Sequence, residues 1–446
     1  MKRATWLYVL ASLALLAALT ACAGSATPTT SAVTTVVKET VPVQQTVMVT
    51  APAHETVVYN SYQSDPAPRA AEEQLLKMFK TENPTVDVTY SVVAHEDFKQ
   101  AIRAYLTAST PPDVMTWFSG ERASFFIDKG LIMDISDLYQ QQGWDKTFPK
   151  GFVALATYNG KQYAVPNSYY WWAVYYNKTV FAKYNLTPPK TWDEFLKVCD
   201  TLKTNGVIPI AIGTKAPWTA AGWFDYLDMR INGPDYHLKL LRKGAINYND
   251  PGVKKVFTTW KDLLDKGYFM PNAASYAWQE AVPALTSGKA GMYLMGQFIM
   301  DSVPDDQKAN IDFFRFPIID PSIPIGEDAP TDIYWAAANA PHPEAAKKLL
   351  AFLGSKEAQE YWAKTLNRLP VNSDVDPSIF SPQVKQGIEL IKGADVVDSF
   401  YDNESPPEMA DKGMAAMIQF WTNTGQIDSI LDQLTKDEAA IYSAVS

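Results

Sequence analysis

Cysteine and histidine are both scarce in this sequence. Its 446 residues include two cysteines, Cys22 and Cys199, and four histidines that stand far apart. None of these histidines lies at metal-ligand spacing from another histidine or from a cysteine, and two thiols cannot build a disulfide framework. We therefore expect no metal site and no disulfide scaffold, so that stability must come from a buried core.

Positive charge and the common catalytic motifs are also in short supply. Lys and Arg number 39 against 49 Asp and Glu, which gives a formal net charge of −10. That balance disfavours nucleic acid and anionic lipid as partners. The sequence has no G-x-S-x-G elbow and no phosphate-binding G-x-x-x-x-G-K-S/T loop. Serine hydrolases and nucleotide-binding enzymes are thus disfavoured, and we expect no cofactor.

The first residues have the composition of an export signal. Lys2 and Arg3 precede an apolar run over 6–19 that is broken only by Ser12. A transmembrane helix is the alternative, but the run is shorter than the roughly 20 residues needed to span a bilayer. Residues 19–22 resemble the bacterial lipobox, whose cysteine is lipidated after cleavage. We predict a signal peptide over 1–21 and an extracytoplasmic chain held to the outer face of the cell membrane by lipidated Cys22.

Residues 22–53 predict a flexible tether. This segment is almost entirely Thr, Val, Ala, Pro, Ser and Gln, and Lys38 and Glu39 are its only charges. Such a composition offers too little apolar surface to offset the entropy of ordering it. The remaining chain is longer than one hydrophobic core usually covers, and 47% of the sequence is hydrophobic. Two lobes are therefore expected.

Strand and helix patterns alternate in two series. In the first, β-prone segments are separated by amphipathic helices, which predicts βαβ units and a parallel sheet. The second series starts after Pro166, and the last third of the chain is mostly helical by pattern. Ligand crevices form at loops that follow the strands of such sheets. The predicted strands cover 56–59, 86–90, 113–117, 174–176 and 208–212, and predicted helices cover 98–107, 191–204 and 343–353.

Four segments carry a family resemblance, and they stand in the family's order and spacing. They are 160–166 with 174–178, 188–195, 288–296, and 343–353 with 368–371. In these segments the chain resembles the extracellular carbohydrate-binding proteins of ABC importers, the maltodextrin-binding group. The resemblance implies an α/β, two-lobed periplasmic-binding-protein fold, each lobe a parallel-rich sheet flanked by helices. It implies three hinge crossings, near Pro166, near Pro317 and near Pro370, with an N-terminal lobe of 54–166 plus 318–369 and a C-terminal lobe of 167–317 plus 370–446.

The same resemblance implies a function. The chain would be a monomeric binding protein, not an enzyme, that captures a sugar between its lobes and delivers it to the transmembrane permease subunits of an ABC importer. The many aromatics predicted near the cleft favour an oligosaccharide. The lipid anchor would be its only membrane contact. A secreted glycoside hydrolase is the alternative from another class, because aromatic clefts with carboxylates serve those enzymes too. A non-sugar solute such as a peptide or a polyamine is the other alternative.

Aromatic residues predicted near the cleft are the first candidates for ligand contact. Sugar rings present apolar C–H faces that suit the electron-rich faces of Trp and Tyr. Tyr170 and Trp172 alternate with Trp171, so only one of these two faces can line the cleft, and we favour Tyr170. Large aromatic residues can equally well be core. The aromatic candidates are Tyr62, Trp117, Tyr170, Trp218, Trp223, Trp278, Phe298, Tyr334, Trp335 and Tyr401.

Polar candidates come from the same predicted loops. Carboxylates accept bidentate hydrogen bonds from adjacent hydroxyls, which singles out Glu121 and Asp332. Loop acids also serve as helix caps or remain solvated, and that alternative stays open. The polar candidates are Gln63, Ser119, Glu121, Asn167, Gln297 and Asp332.

Overall fold

The computed structural model describes residues 54–242 and 245–443. The predicted signal peptide, the lipidation of Cys22 and the tether lie outside these residues. Within the described chain, no helix is both long enough and apolar enough to cross a membrane.

The strands of the described residues are short. They are β1 (Glu55–Ser61), β2 (Val86–Val92), β3 (Val114–Phe118), β4 (Thr157–Tyr158), β5 (Lys161–Gln162), β6 (Val165–Tyr169), β7 (Trp172–Asn177), β8 (Ile208–Ile210), β9 (Ala290–Gly296), β10 (Ile311–Phe314), β11 (Gly326–Asp328), β12 (Thr331–Ala336), β13 (Leu369–Pro370) and β14 (Val396–Asp398).

Helices account for most of the remaining described structure. They are α1 (Pro66–Glu82), α2 (His95–Thr107), α3 (Glu121–Asp128), α4 (Ser136–Gln142), α5 (Trp144–Thr147), α6 (Lys150–Ala156), α7 (Lys178–Lys183), α8 (Trp192–Thr204), α9 (Trp218–Ile231), α10 (Pro234–Leu241), α11 (Pro251–Asp265), α12 (Trp278–Thr286), α13 (Asp305–Lys308), α14 (Pro343–Leu353), α15 (Lys356–Leu366), α16 (Pro382–Lys392), α17 (Tyr401–Glu404), α18 (Pro407–Thr422) and α19 (Ile427–Ser443). Short 3₁₀ turns include Gln297–Asp301.

The first lobe is built on a six-stranded sheet with the order β13-β6-β12-β3-β1-β2. β1 runs parallel to β2 and β3, as the βαβ pattern predicts. β12 pairs antiparallel with both β3 and β6. The chain returns from the other lobe before β12, and β12 runs opposite to β3 and β6. The sheet is therefore mixed, with both parallel and antiparallel pairs.

The second lobe carries a four-stranded sheet with the order β10-β7-β9-β8. Only β8 and β9 pair in parallel, while β7 runs antiparallel to β9 and β10. The small parallel pair β11–β14 lies apart from this sheet. The chain passes between the two large sheets after β6, between β10 and β12, and after β13.

Each lobe has its own hydrophobic core. Residues such as Tyr59, Phe79 and Trp335 form the first, and residues such as Phe195, Trp223 and Trp260 form the second. Two cores agree with the expectation from chain length. Together with the crossings, they give the two-lobed α/β architecture that the resemblance implies. The expectation of parallel-rich sheets is wrong, because β12 and β7 pair antiparallel with both of their neighbours.

The start of α8 shows how local sequence sets an element. The Glu194 amide donates to Thr191 Oγ1 at 3.4 Å, and the Thr191 amide donates to Glu194 Oε2 at 3.1 Å. This is the capping box predicted at Thr191, and it satisfies two amides that the first helical turn would leave without partners. α8 then runs to Thr204, where the helix was predicted to end.

Candidate functional site

A cavity of about 640 Å³ lies where the two lobes meet. Its first-lobe wall comes from the loop after β1, the start of α2 and the start of β12, with Arg368 beside β13. Its second-lobe wall comes from β7, the starts of α9 and α12, the 3₁₀ turn after β9, and α17. The lining residues are Tyr62, Gln63, Ser64, Asp65, Pro68, Ala94, His95, Glu96, Asp97, Lys99, Phe118, Tyr170, Trp172, Lys215, Ala216, Trp218, Ala277, Trp278, Gln279, Phe298, Asp301, Pro330, Asp332, Trp362, Arg368, Phe400, Asp402 and Asn403.

The second lobe gives the cavity an aromatic floor, which is defined by Tyr170, Trp172, Trp218, Trp278, Phe298 and Phe400. Trp172 stacks on Phe400 with ring centroids 4.8 Å apart. Trp278 meets Phe298 edge to face at 5.1 Å, and Trp218 lies 6.1 Å from Phe298. These contacts fix the rings against one another. The floor can therefore receive a flat apolar face with little loss of side-chain entropy.

Several of these rings lie at or next to the first residue of a helix. Trp218 and Trp278 are the first residues of α9 and α12, and Phe400 immediately precedes α17. The first turn of a helix leaves backbone amides without intrahelical partners. Near the floor several of these amides already have partners: the Ala220 amide donates to the Pro217 carbonyl and the Tyr401 amide to Asp225 Oδ2.

The first lobe contributes a polar wall. Tyr62 stacks on Phe118 with ring centroids 4.9 Å apart, and its hydroxyl donates to the Trp117 carbonyl at 3.0 Å. His95 and Glu96 follow from the start of α2, and the His95 ring meets Tyr62 edge to face at 5.1 Å. Hydrogen-bonding groups therefore face the aromatic floor across the cavity.

Hydrogen bonds join the lobes around the cavity. Trp218 Nε1 donates to Glu96 Oε1 at 3.0 Å. Gln279 Nε2 donates to Asp65 Oδ1 at 3.0 Å. The side chains that make these bonds also line the cavity, so the lobes are closed upon it and any change in their separation must alter its walls.

An ion triad forms a further bridge between the lobes. Asp402 of the second lobe pairs with Lys99 at 3.1 Å and with Arg122 at 2.6 Å. The three side chains are 4–6% exposed. Burial alone would raise the pKa of Asp402, but the charges of Lys99 and Arg122 outweigh it and the pKa is lowered. Asp402 is therefore ionised at neutral pH, as the triad requires.

Glu96 is also held in its ionised form. Burial would raise its pKa, but the hydrogen bond with His95 and the charge of Lys99 outweigh that effect and lower the pKa to about 2. The same carboxylate accepts the bond from Trp218. Its role is to hold the two walls together.

Asp332 differs from Asp402, Asp301 and Glu96, which all have cationic partners. It lies near the start of β12 and makes no ion pair with any described residue. Burial raises its pKa to about 6, against the opposing effects of the Tyr62 hydroxyl and of the charges of His95 and Arg368. Asp332 is thus a half-buried acceptor that is available to a molecule in the cavity.

The structure brings seven of the predicted site residues together. They all line the cavity, four on the aromatic floor and three on the first-lobe wall. That they contact a ligand remains a prediction. These residues are Tyr62, Gln63, Tyr170, Trp218, Trp278, Phe298 and Asp332.

The predicted aromatics that do not reach the cavity are core residues. Trp117 and Trp335 are 1% and 0% exposed and stack on each other in the first lobe, with centroids 5.9 Å apart. Tyr334 is also buried there. Strands β3 and β12 are covered on both faces, so side chains of either parity are buried. Trp223 and Tyr401 are buried in the second core, where α9 is enclosed along its whole length.

The remaining polar candidates do not line the cavity. Gln297 donates to the Leu366 carbonyl at 3.2 Å and accepts a bond from Arg368. Glu121 starts α3 and accepts a bond from Ser124 Oγ at 3.1 Å. Ser119 follows β3 and Asn167 lies within β6, and both are buried.

Several lining residues were not predicted. Trp172 stands two residues after Tyr170, so the alternation that favoured Tyr170 could have identified it as well. Phe400 and Asp402 flank the predicted Tyr401 in sequence. Glu96 and Lys99 lie on one helix with no local motif. Their roles depend on partners far along the chain.

Comparison with known proteins places this geometry in context. The family model of bacterial extracellular solute-binding proteins matches residues 61–360. An uncharacterized ABC transporter extracellular-binding protein of Pyrococcus horikoshii is 29% identical over 350 residues, which cover 76% of this chain and 77% of that protein. A probable sugar-binding periplasmic protein of Mesorhizobium japonicum is 28% identical over 358 residues, with 77% and 83% covered.

Solved structures show the same architecture. The bacterial solute receptor AcbH is 31% identical and superposes with a TM-score of 0.82, covering 87% of this chain and 100% of the receptor. A chitin oligosaccharide binding protein is 21% identical with a TM-score of 0.81, again covering 87% and 100%. At that identity the second likeness shows the fold alone.

Proposed function

Because the chain belongs to the family of bacterial extracellular solute-binding proteins, we propose that it captures a sugar between its lobes and delivers it to the membrane permease of an ABC importer. The observation that carries this proposal is the aromatic floor facing a polar wall across a closed cleft. A sugar needs both surfaces, since its ring faces are apolar and its hydroxyls require hydrogen-bond partners. In this proposal the protein acts as a monomer, and Cys22 provides its lipid anchor on the outer face of the cell membrane.

The ligand proposed is an oligosaccharide. The cavity volume of about 640 Å³ falls within the range of about 300–1,000 Å³ that is typical of small-molecule sites. The floor also offers more aromatic surface than one ring of a sugar can stack on. A single pyranose is the second candidate, because AcbH, at 31% identity, is described as exclusively preferring β-D-galactopyranose.

Binding without catalysis fits the state of the cavity acids better than glycoside hydrolysis does. A glycosidase needs a pair of carboxyl groups, one as acid and one as nucleophile or base. Here Asp402 is paired with Lys99 and Arg122, and Asp301 with Arg368 at 2.5 Å. Glu96 is held by His95 and Trp218. Acids engaged in this way hold the cavity closed. Asp332 remains available as an acceptor, and we propose that it binds sugar hydroxyls and that the protein is not an enzyme.

A ligand panel tests the proposed function. The melting temperature of the purified protein is measured with oligosaccharides, β-D-galactopyranose and other monosaccharides, peptides and polyamines. A sugar at 100 times its dissociation constant should add about 2.7 kcal/mol of stability. A shift caused only by a peptide or a polyamine would overturn the ligand class. Cleavage of the stabilising sugar would instead favour the glycosidase.

Asp332 should make sugar affinity depend on pH. Its folded-state pKa is raised to about 6, so protonation below that pH removes a charged acceptor for sugar hydroxyls. Asp332→Asn should weaken binding about tenfold at pH 7.5, because hydrogen bonds to charged groups contribute about 1.5–3 kcal/mol. Titration calorimetry at pH 5 and pH 7.5 measures this effect.

Two results decide whether Asp332 contacts the sugar. The wild-type affinity should fall between pH 7.5 and pH 5, whereas that of Asp332→Asn should stay nearly constant. Asp145→Asn, which changes an exposed acid of the same lobe, should behave as the wild type. Equal affinity of Asp332→Asn and wild type at pH 7.5 would remove Asp332 from the site.

A further inference from the structure

A second group of buried ionisable side chains lies in the second lobe, away from the cavity. We name it the hinge carboxyl cluster, and it consists of Asp225, Asp228, His237, Asp328 and Asp398. The first four are 0% exposed and Asp398 is 7% exposed. His237 Nδ1 lies 2.8 Å from Asp228 Oδ2, and its Nε2 lies 3.2 Å from Asp225 Oδ1. The single imidazole thus lies within ion-pair distance of two of the four carboxyl groups.

The other two carboxyl groups lack a comparable partner. Neither oxygen of Asp328, nor Asp398 Oδ2, has a hydrogen-bond partner among the described residues. Asp398 Oδ1 accepts only the Ser399 amide at 2.7 Å. Buried carboxylates in this situation would be strongly destabilising, because nothing replaces the water that they lose.

Neighbouring cations are already engaged. Glu327 pairs with Arg230 at 2.6 Å and with Arg315 at 3.1 Å. Glu404 pairs with Arg242 at 2.6 Å. Among the described residues, Asp328 and Asp398 therefore have no ion-pair partner of their own.

The carboxyl groups of the cluster are better neutralised by protons than by a metal ion. In residues 54–242 and 245–443, no group of three or more His, Cys, Asp and Glu side chains is arranged to hold a metal ion. A proton neutralises a buried carboxylate and turns it into a donor for a neighbouring carboxylate.

The position of the cluster links it to the cavity. Asp328 ends β11, which lies in the second passage between the lobes, and Asp398 ends β14, just before α17. Asp225 Oδ2 accepts the Tyr401 backbone amide, the first of α17, at 3.1 Å. The next residue, Asp402, makes the ion triad that joins the lobes. The cluster thus supports the second-lobe side of that triad.

We propose that the hinge carboxyl cluster is a proton-binding site, and that loss of its protons loosens α17 and the closure of the lobes. Deprotonation would place adjacent negative charges at Asp225, Asp328 and Asp398, while the single imidazolium of His237 is already shared with Asp228. Repulsion would separate β14 from α9 and β11, and α17 would move with β14. This proton-dependent loosening requires no ligand, so its test does not depend on the proposed sugar.

The pKa directions agree with this geometry. Burial raises the pKa of Asp225 to about 6 against the opposing effect of His237, and it also raises the pKa of Asp398. Burial and the charge of Asp225 raise the pKa of Asp328. Burial alone would lower the pKa of His237, but Asp225 and Asp228 raise it well above its usual value. The unfolded chain releases its Asp protons near pH 4. The folded state therefore binds more protons above that pH, and its stability falls as pH rises.

Amide hydrogen exchange of α17 tests the proposal on the purified protein without ligand. After correction for the intrinsic pH effect, protection of the 401–404 amides should fall about tenfold or more between pH 6 and pH 9, since one pKa unit of coupling corresponds to a factor of ten. Asp328→Asn and Asp398→Asn keep the carboxyl shape without the charge. Each should reduce that loss of protection and raise protection at pH 9.

A control and a second measurement keep the test decisive. Glu72→Gln removes a buried acid of the first lobe whose pKa is raised to about 7, and it should leave the exchange of α17 unchanged. The pH dependence of the unfolding midpoint should be flatter in Asp328→Asn than in the wild type. Constant α17 protection in the wild type from pH 6 to pH 9 would overturn the proposal. Parallel pH profiles of wild type and both Asn variants would overturn it as well.

Discussion

Trp218→Ala should weaken sugar binding about a hundredfold. The side chain lies at the centre of the aromatic floor, and its Nε1 donates to Glu96 of the opposite lobe at 3.0 Å. The change removes a stacking surface together with a bond that holds the lobes closed. Central aromatic residues of binding sites often contribute 2 kcal/mol or more, and about 2.7 kcal/mol corresponds to a hundredfold change in affinity. Titration calorimetry with the sugar selected by the panel measures the effect.

Trp192→Ala is the matched control for this variant. Trp192 belongs to the same lobe but packs on Phe195 and Phe316, away from the cavity. It should lose some stability and keep its sugar affinity. If Trp218→Ala folds and binds sugar as tightly as the wild type, the aromatic floor is not the binding surface.

Trp335→Ala should cost about 3–5 kcal/mol of unfolding free energy, as is usual for truncating a buried Trp. Its ring is fully buried and stacks on Trp117 at an interplanar angle of 13°. The protein that remains folded should bind sugar with nearly wild-type affinity, because the ring does not line the cavity. Urea unfolding and titration calorimetry together measure both effects.

Trp335→Phe separates packing from ligand contact. It keeps an aromatic ring in the core and leaves a smaller void, so its loss of stability should be less than that of Trp335→Ala. If Trp335→Ala kept wild-type stability and lost most of its sugar affinity, Trp335 would be a ligand contact and not a core residue.

The elements that depend on local sequence were predictable. The capping box at Thr191 and the parallel pairing of β1, β2 and β3 follow from short-range patterns, and both are present. Tyr170 and Trp172 alternate with Trp171 along the chain, and both line the cavity, whereas Trp171 is buried in the core. Periodicity specifies which side chains share a face.

The same periodicity does not specify what covers that face. Trp117 and Trp335 stand near the ends of strands, where a cleft was expected, yet both belong to the core of the first lobe. The antiparallel entry of β12 beside β3 depends on the chain returning from the second lobe. That contact is set by tertiary packing and has no local pattern.

Long-range ion pairs explain the rest of the difference. Lys99 and Asp402 are 303 residues apart in sequence, yet they bond across the cavity. Neither residue belongs to a motif, and each would be an ordinary exposed charge without the other. Residues that join the two lobes therefore become recognisable only once both lobes are in place.

Sugar capture without cleavage is tested by a calorimetric titration of the purified protein with the panel's stabilising sugar, followed by chromatography of the sugar recovered after long incubation. We expect saturable binding of one sugar per chain and recovery of the sugar intact. Failure of every sugar to bind, or recovery of cleaved sugar, would show that the protein is not a sugar-binding protein of this kind.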